Sequence, residues 1–365
     1  MGKREIRVIV SGGGTGGHLF PGIAVAEAII ERYPGSKVLF VGTGRPTDER
    51  VLAGKKFAKT SIRCMGLKGK SLLEKVAAMA QLPLATFAAM RLMRSFRPQI
   101  VLGVGGYVTG PVLLAARVLR IPTCIHEQNS VPGMANRKLG KMVDRVFLSI
   151  PGSERYFAPG KCVLTGNPLR GGLVAAASWA RPEKKKTTLL VLGGSLGAHR
   201  VNTLMIEAVS ILLKNKTAAE IDLVHQTGPA DEKMVGDSYR ELGITADVAP
   251  FFDDMAKLYT RADLVVSRAG ATSLAEMTLF GLPMILIPYP FAADDHQRKN
   301  GEYLVQGGAA QLFGQDELTG EKLAGAIGEL ICNKEKRKRM SRAAKEFARP
   351  DATGMIVEQC VGLIK

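Results

Sequence analysis

The stretch "IVSGGGTGGHLFPG", residues 9–22, follows the apolar run "EIRVIV" (5–10) and precedes "AVAEAIIERY" (24–33), whose apolar positions have helical spacing. A glycine turn joining a strand to a helix opens a doubly wound α/β sheet, and "KVLFVG" (37–42) supplies the next strand of a βαβ unit. Gly12, Gly14 and Gly17 also satisfy G-x-G-x-x-G, the dinucleotide fingerprint. That fingerprint requires an Asp or Glu at the end of the second strand to hold the ribose hydroxyls. Here the strand ends in Gly42-Thr43-Gly44, and the nearest acid, Asp48, lies beyond Pro46. His18 follows Gly17, and Pro21 suits a first helical position, where its missing N–H costs nothing. The loop is therefore expected to be longer than a dinucleotide turn, and a dehydrogenase is disfavoured.

The same alternation continues along the chain. "QIVLGVGGYVTGP" (99–111) again turns a strand into a helix through glycines, and "PTCIHEQN" (122–129) and "DRVFLS" (144–149) read as strands. "NPLRGGLVAAASWARPEKKK" (167–186) has the Pro, Gly and Lys content of a linker, after which "TTLLVLGGSLGAHRVN" (187–202) restarts the theme. "IDLVHQTG" (221–228), "DLVVSRAGATSLAEMTLFG" (263–281) and "PMILIPYP" (283–290) carry it towards a helical C-terminus. Alternating strands and helices call for parallel sheets covered by helices, and 365 residues suffice for two such cores. The expected architecture is α/β, with two doubly wound, Rossmann-like domains whose parallel sheets face each other across a cleft. The domains are expected at 1–168 and 169–345, with a C-terminal helix in 346–365 packing back on the first. Ligands of such sheets bind at the carboxyl ends of the strands, where the glycine turns lie.

Composition narrows the class. "MGKRE" runs into "IRVIV" without a signal peptide's apolar core or cleavage site, so the mature chain is expected to start at Met1. Cys64, Cys124, Cys162, Cys332 and Cys360 are scattered, with no C-x-x-C pair, which suggests neither a disulfide framework nor a zinc site and fits a reducing cytosol. The net charge of +17 favours a polyanionic partner: nucleic acid, anionic lipid or a phosphorylated substrate. The basic runs "EKKKTT" (183–188) and "NKEKRKRMSR" (333–342) lack the interleaved aromatics that stack bases, so they read as solvated linker and helix surface rather than a nucleic-acid site.

Backbone N–H groups at a helix N-terminus accept diphosphates without Lys or metal. Three glycine turns with Ser11, Thr15, Thr109 and Ser195 among them suggest a phosphate-rich ligand; read singly, each could merely bring a helix close to its sheet. "GGTGGHLFPG" (13–22), "GVGGYVTGP" (103–111), "HEQNSVPGMANR" (126–137), "GNPLR" (166–170), "GGSLGAHRVN" (193–202), "SRAGATSLAE" (267–276) and "DDHQRKN" (294–300) together resemble, in order and spacing, the motifs of the peptidoglycan N-acetylglucosaminyltransferases of glycosyltransferase family 28. The resemblance spans about residues 7 to 305. It implies a GT-B fold and an inverting hexosyltransferase that moves GlcNAc from UDP-GlcNAc to the MurNAc 4-hydroxyl of lipid I, giving lipid II for the cell wall. Under it, the first domain takes lipid I and faces the membrane, and the second binds the donor.

Inverting transfer needs a base for the acceptor hydroxyl and stabilisation of the departing UDP, with an oxocarbenium-like centre between them. His18 can serve as that base, since an imidazole titrates near neutral pH; a lone histidine is otherwise a helix-capping or core residue. Glu127, polar at a strand end, could share the role. By resemblance, Thr15, Gly16 and Gly17 match the substrate diphosphate or donor site, Ser195 the donor phosphate, and Arg170 and Phe252 positions near uracil. Ala271, Thr272, Ser273, Leu274 and Ala275 match the helix N-terminus near the donor phosphates, and Glu276 the acid that takes the ribose hydroxyls. Asn129 and Gln297 match sugar contacts, which amides suit because they both donate and accept.

Two departures accompany the match: Phe252 stands where some relatives carry an aliphatic residue, and Leu196 where they often carry Gln, which puts one contact there in doubt. No D-x-D acid pair is present; Asp253-Asp254 reads as a helix N-cap, so no metal and no cofactor are expected, with helix N-termini and Arg or Ser donors stabilising the leaving group. A hydrolysing UDP-GlcNAc 2-epimerase is the rival enzyme of the same architecture. A nucleic-acid module would explain the charge but not the glycine turns.

Residues 76–90, "VAAMAQLPLATFAAM", are the most apolar stretch, yet contain Gln81 and Pro83 and fall short of the roughly 20 residues needed to span a bilayer. Lys68, Lys70 and Lys75 precede them and Arg91, Arg94 and Arg97 follow, an arrangement suited to resting in an anionic membrane surface; the alternative is a helix pair buried on the first sheet. The expected location is peripheral, on the cytoplasmic face of the cell membrane, and the resemblance implies contacts with other cell-wall synthesis proteins.

Overall fold

In the computed structural model the apolar runs form strands that are buried on both sides, because helices cover both faces of each sheet. The structure describes residues 5–64, 72–194 and 197–364. Two compact units divide the chain, one comprising Met1–Gly171 with Arg349–Lys365 and the other Gly172–Ala348.

The first unit carries, in order, β1 (Arg7–Gly12), α1 (Gly16–Arg32), β2 (Lys37–Gly42), α2 (Pro46–Leu52), β3 (Ala58–Ser61), α3 (Leu72–Phe96), β4 (Ile100–Gly105), α4 (Thr109–Val118), β5 (Thr123–Glu127), α5 (Met134–Leu139), β6 (Arg145–Leu148) and β7 (Cys162–Leu164). All its strand pairs are parallel, in the order β3-β2-β1-β4-β5-β6-β7. The period-2 alternation of the strands sorts them between two cores. Val8, Val10, Phe40 and Leu102 face α1, whereas Ile9, Val41, Val101 and Ile125 face α3 and α4. After α6 (Gly171–Ala176), the second unit runs β8 (Thr187–Leu192), α7 (His199–Lys214), β9 (Ile221–Gln226), α8 (Glu232–Glu241), β10 (Ala246–Ala249), α9 (Met255–Arg261), β11 (Leu264–Ser267), α10 (Ala271–Leu279), β12 (Met284–Leu286), α11 (His296–Gln306), β13 (Ala310–Leu312), α12 (Gly320–Cys332) and α13 (Lys334–Glu346). Its sheet is likewise parallel, ordered β10-β9-β8-β11-β12-β13.

The last helix, α14 (Ala352–Gly362), returns to the first unit, where Ile356, Val357 and Cys360 join the α1 core and Glu358 pairs with Arg32 at 2.6 Å. Thr353 secures that return, its hydroxyl lying 2.9 Å from the Leu169 N–H and 2.8 Å from the Leu169 carbonyl.

Three details differ from the sequence reading. α1 begins at Gly16, so the glycine loop runs straight into the helix and Pro21 lies inside it. Packing outweighs the poor helical propensity of the glycines: a Cβ at Gly22 would meet Phe40 at 2.9 Å and Val104 at 3.0 Å, so glycine lets α1 lie close to the sheet. The 167–186 linker contains α6. Residues 76–90 lie within the single helix α3, which continues through Pro83, rather than in a helix pair.

Candidate functional site

In each sheet the strand order reverses between two neighbouring strands, β1 and β4 in the first unit and β8 and β11 in the second. Connections there leave to opposite sides and open a crevice beyond the strand ends. The glycine turns lie at those ends.

In the first unit, β1 pairs with β4 from Val8↔Ile100 to Gly12↔Gly105. Thr15, in extended backbone, ends the β1 loop, and its carbonyl accepts the N–H groups of His18 and Leu19, both at 3.1 Å. His18 therefore stands in the first turn of α1. Its Nδ1 is 3.3 Å from Thr15 Oγ1, and its half-buried ring rests on Gly105. Gly105 is required there twice over: its φ is +107°, and a Cβ would lie 2.5 Å from His18 Cδ2. Gln128, which the sequence reading did not single out, donates from Nε2 to the Val104 carbonyl at 2.7 Å and so fixes the backbone just before Gly105.

Glu127 ends β5 almost fully buried. Its Oε1 accepts the Asn129 N–H (2.9 Å) and Nδ2 (3.2 Å), and its Oε2 accepts Asn136 Nδ2 (2.8 Å) and the Gly133 N–H (3.3 Å). Burial raises its pKa, and those hydrogen bonds oppose the rise. Asn129 is thus tied to Glu127 through both backbone and side chain. Arg170, expected with the second domain, belongs to the first unit, its guanidinium 4.7 Å above the Phe20 ring of α1.

In the second unit, β8 and β11 pair from Leu264↔Leu189 to Ser267↔Leu192. Ser195 and Leu196 lie outside the described residues. Gly270 leads β11 into α10, whose first turn is Ala271, Thr272 and Ser273, followed by Leu274, Ala275 and Glu276. This helix N-terminus at a strand end is suited to a phosphate. Glu276 is 7% exposed, and Tyr259 of α9, buried against Phe280, donates its hydroxyl to Oε2 at 2.9 Å. Nothing in the spacing of Tyr259 pointed to that role. The Phe252 N–H donates to Gln226 Oε1 at 3.2 Å, and Gln297, in the first turn of α11, accepts the Tyr289 N–H at 2.9 Å. Asp254 caps α9 by accepting the Lys257 N–H at 3.0 Å, as its place before the helix suggested. Among the described residues no three His, Cys, Asp or Glu side chains are grouped to hold a metal ion.

Two buried histidines brace these loops. His126 lies 3.2 Å from the Gly166 carbonyl and 3.1 Å from Ser149 Oγ; burial, with a small contribution from His18 and against the Gly166 carbonyl, lowers its pKa to about 4. His225 lies 2.9 Å from the Tyr239 hydroxyl and 3.0 Å from Asn202 Oδ1, while Asn202 Nδ2 reaches the Thr227 carbonyl and Asp231. Burial, opposed by Asp231, lowers the His225 pKa to about 3. Because both folded values lie below the ordinary 6.5, the unfolded chain takes up protons that the folded chain does not as pH falls from 6.5. Stability conferred above pH 6.5 is lost on the way down, by about 2 kcal/mol per histidine at pH 5. Denaturant unfolding at pH 7.5 and pH 5 is expected to show about that much less acid destabilisation in His225→Gln than in the parent. Equal pH dependence in the two would contradict it.

Comparison with known proteins bears on both units. Residues 8–148 match the model of the glycosyltransferase family 28 N-terminal domain, and residues 188–354 that of its C-terminal domain. The chain is 51% identical to the UDP-N-acetylglucosamine–N-acetylmuramyl-(pentapeptide) pyrophosphoryl-undecaprenol N-acetylglucosamine transferase of Desulfotalea psychrophila, over 99% of this chain and 98% of that protein. To the protein of the same name from Geobacter sulfurreducens it is 45% identical, over 98% of each. Among solved structures it is similar to Acinetobacter baumannii MurG, with a TM-score of 0.76 and 31% identity over 98% of this chain and 100% of that one. A UDP-GlcNAc 2-epimerase from Neisseria meningitidis, bound to UDP-GlcNAc, aligns with a TM-score of 0.68 over 98% and 100% of the two chains; at 17% identity that likeness is one of fold alone.

Proposed function

The chain belongs to glycosyltransferase family 28, and from that membership we infer that it transfers GlcNAc from UDP-GlcNAc to the lipid-linked MurNAc-pentapeptide diphosphate, lipid I, to form lipid II. The observation that carries the mechanistic part is His18, held in the first turn of α1 between the Thr15 hydroxyl and Gly105. With the Nδ1 proton directed to Thr15, Nε2 takes the proton of the MurNAc 4-hydroxyl as that oxygen attacks the anomeric carbon. The bond from that carbon to the UDP oxygen breaks on the opposite face, so the configuration inverts. Negative charge on departing UDP is met by the N-terminus of α10, and Glu276 receives the ribose hydroxyls. Glu127, with four donors on its carboxylate, shapes the 128–136 loop and orients Asn129 towards sugar, leaving the proton to His18. Incubated with UDP-GlcNAc alone, the protein is expected to leave the donor intact. Release of ManNAc or UDP-ManNAc would point instead to an epimerase.

The acceptor's lipid requires a membrane surface, and α3 supplies one. No helix among the described residues is long and apolar enough to cross a membrane. Leu84, Phe87, Arg91 and Arg94 recur at helical spacing on α3, with Leu84 72% and Phe87 63% exposed, while Ala85, Ala89 and Met93 face the core. α3 packs on α4. Lys68 and Lys70 lie outside the described residues, as does the side chain of Lys75. An apolar patch seated in the interface beside cations, each worth about 1 kcal/mol at an anionic surface, holds the protein peripherally on the cytoplasmic face. Cosedimentation with phosphatidylglycerol vesicles but not phosphatidylcholine vesicles is expected, weakened by salt and by Phe87→Glu or by neutralising Arg91 and Arg94. Equal binding to both vesicles, or to neither, would remove this surface from the account.

A further inference from the structure

Asp48 is the acid nearest the end of the second strand, where a dinucleotide-binding sheet keeps its ribose-binding carboxylate, yet here it turns inward. It is 1% exposed, in the first turn of α2. The Gly14 N–H donates to Oδ1 at 3.0 Å and reaches Oδ2 at 3.3 Å. Thr43 donates to Oδ2 from its N–H at 3.1 Å and from its hydroxyl at 2.5 Å. The Gly14 and Thr43 N–H groups can only donate, so the Asp48 side chain serves both as acceptor. A Cβ on Gly13 would lie 2.5 Å from Oδ2, so the loop is shaped to admit the carboxylate. Inward-turned N–H groups of a glycine loop are what a substrate phosphate ordinarily binds. In this loop the Gly14 N–H is taken instead by a side chain of the protein.

We propose that Asp48 is the positioning residue of the first glycine loop: its carboxylate takes the Gly14 N–H and fixes the turn that presents His18. The proposal rests on the reading of His18 as base.

Asp48→Asn keeps the shape but sets an amide N–H against donors, loosening the loop. A misplacement of about 1 Å at a catalytic group costs on the order of 10²-fold, so kcat should fall about 10- to 100-fold, with the UDP-GlcNAc KM within about twofold of the parent. Asp48→Ala should fall similarly and regain part of its kcat with added formate, a carboxylate small enough for the vacated place, but not with chloride. The double variant His18→Ala/Asp48→Asn should be no slower than His18→Ala alone, because the loop no longer has a base to place. Parent-like kcat in Asp48→Asn, a fall confined to donor KM, multiplicative losses in the double variant, or no response of Asp48→Ala to formate would each overturn the proposal. If Asp48→Asn does not fold, Thr43→Val, which removes one donor, decides: a several-fold loss of kcat at unchanged donor KM supports the proposal and a parent-like kcat overturns it. A normal rate for His18→Ala by itself overturns the base assignment, and that arm is read independently of Asp48.

Discussion

His18→Ala is expected to lower kcat by about 10²- to 10⁴-fold, the usual contribution of a positioned general base, with UDP-GlcNAc affinity changed by less than about twofold. The two halves of that expectation have separate physical origins. His18 stands in the first unit, in the first turn of α1, whereas the residues assigned to the donor nucleotide, Glu276 and the first turn of α10, lie in the second unit. Removing the imidazole therefore removes an interaction made in the transition state without touching ground-state contacts to the nucleotide, which is the signature of a kcat effect. The ring is half-buried and rests on a glycine, so alanine leaves a gap open towards solvent rather than a sealed cavity, and the fold should tolerate it. Calorimetric titration with UDP and steady-state rates at saturating acceptor separate the two quantities. A near-parental kcat would eliminate His18 as the base.

Glu276→Gln should act in the opposite sense, raising the donor KM by about 10- to 100-fold with little change in kcat. Hydrogen bonds to an ionised carboxylate contribute about 1.5–3 kcal/mol each, and ribose contacts are made alike in the ground and transition states. Glutamine is the informative replacement because its carbonyl can still accept from the buried Tyr259 hydroxyl, which alanine would leave without that partner. Since UDP carries the same ribose, inhibition by UDP should weaken in parallel. Loss of kcat at an unchanged donor KM would contradict the assignment of Glu276 to the ribose.

Much of this fold is legible in the sequence because parallel strands buried on both faces are continuous apolar runs, as in "RVIVSG" and "TTLLVL", and because glycines mark their ends. The edge strands are not. β3 reads "AKTS" and is largely exposed, and β10 reads "ADVA", so neither carries a hydrophobic signal. The start of α1 was hidden for a different reason: glycines and a proline argue locally against a helix, and the close approach to Phe40 and Val104 that requires Gly22 is a tertiary fact. The candidate site divides in the same way. His18 and Glu276 stand in motifs with side chains whose chemistry names a role, whereas Gln128, inside a motif, and Tyr259 and Asp48, outside any, act through partners 24, 17 and 34 residues away and become visible only when the strands are assembled. Asp48 is the sharpest case: in the sequence it is only the acid nearest the end of the second strand, and its hydrogen bonds to Gly14 and Thr43 form only in the folded loop.

Transfer of GlcNAc to a lipid-linked acceptor is tested most simply by following radiolabel from UDP-GlcNAc in the presence and absence of lipid I. Label is expected in the organic-extractable phase when lipid I is supplied and not when it is omitted, with a rate of appearance in His18→Ala reduced about 10²- to 10⁴-fold. Label that stays in the aqueous phase with lipid I and intact donor both present would contradict it.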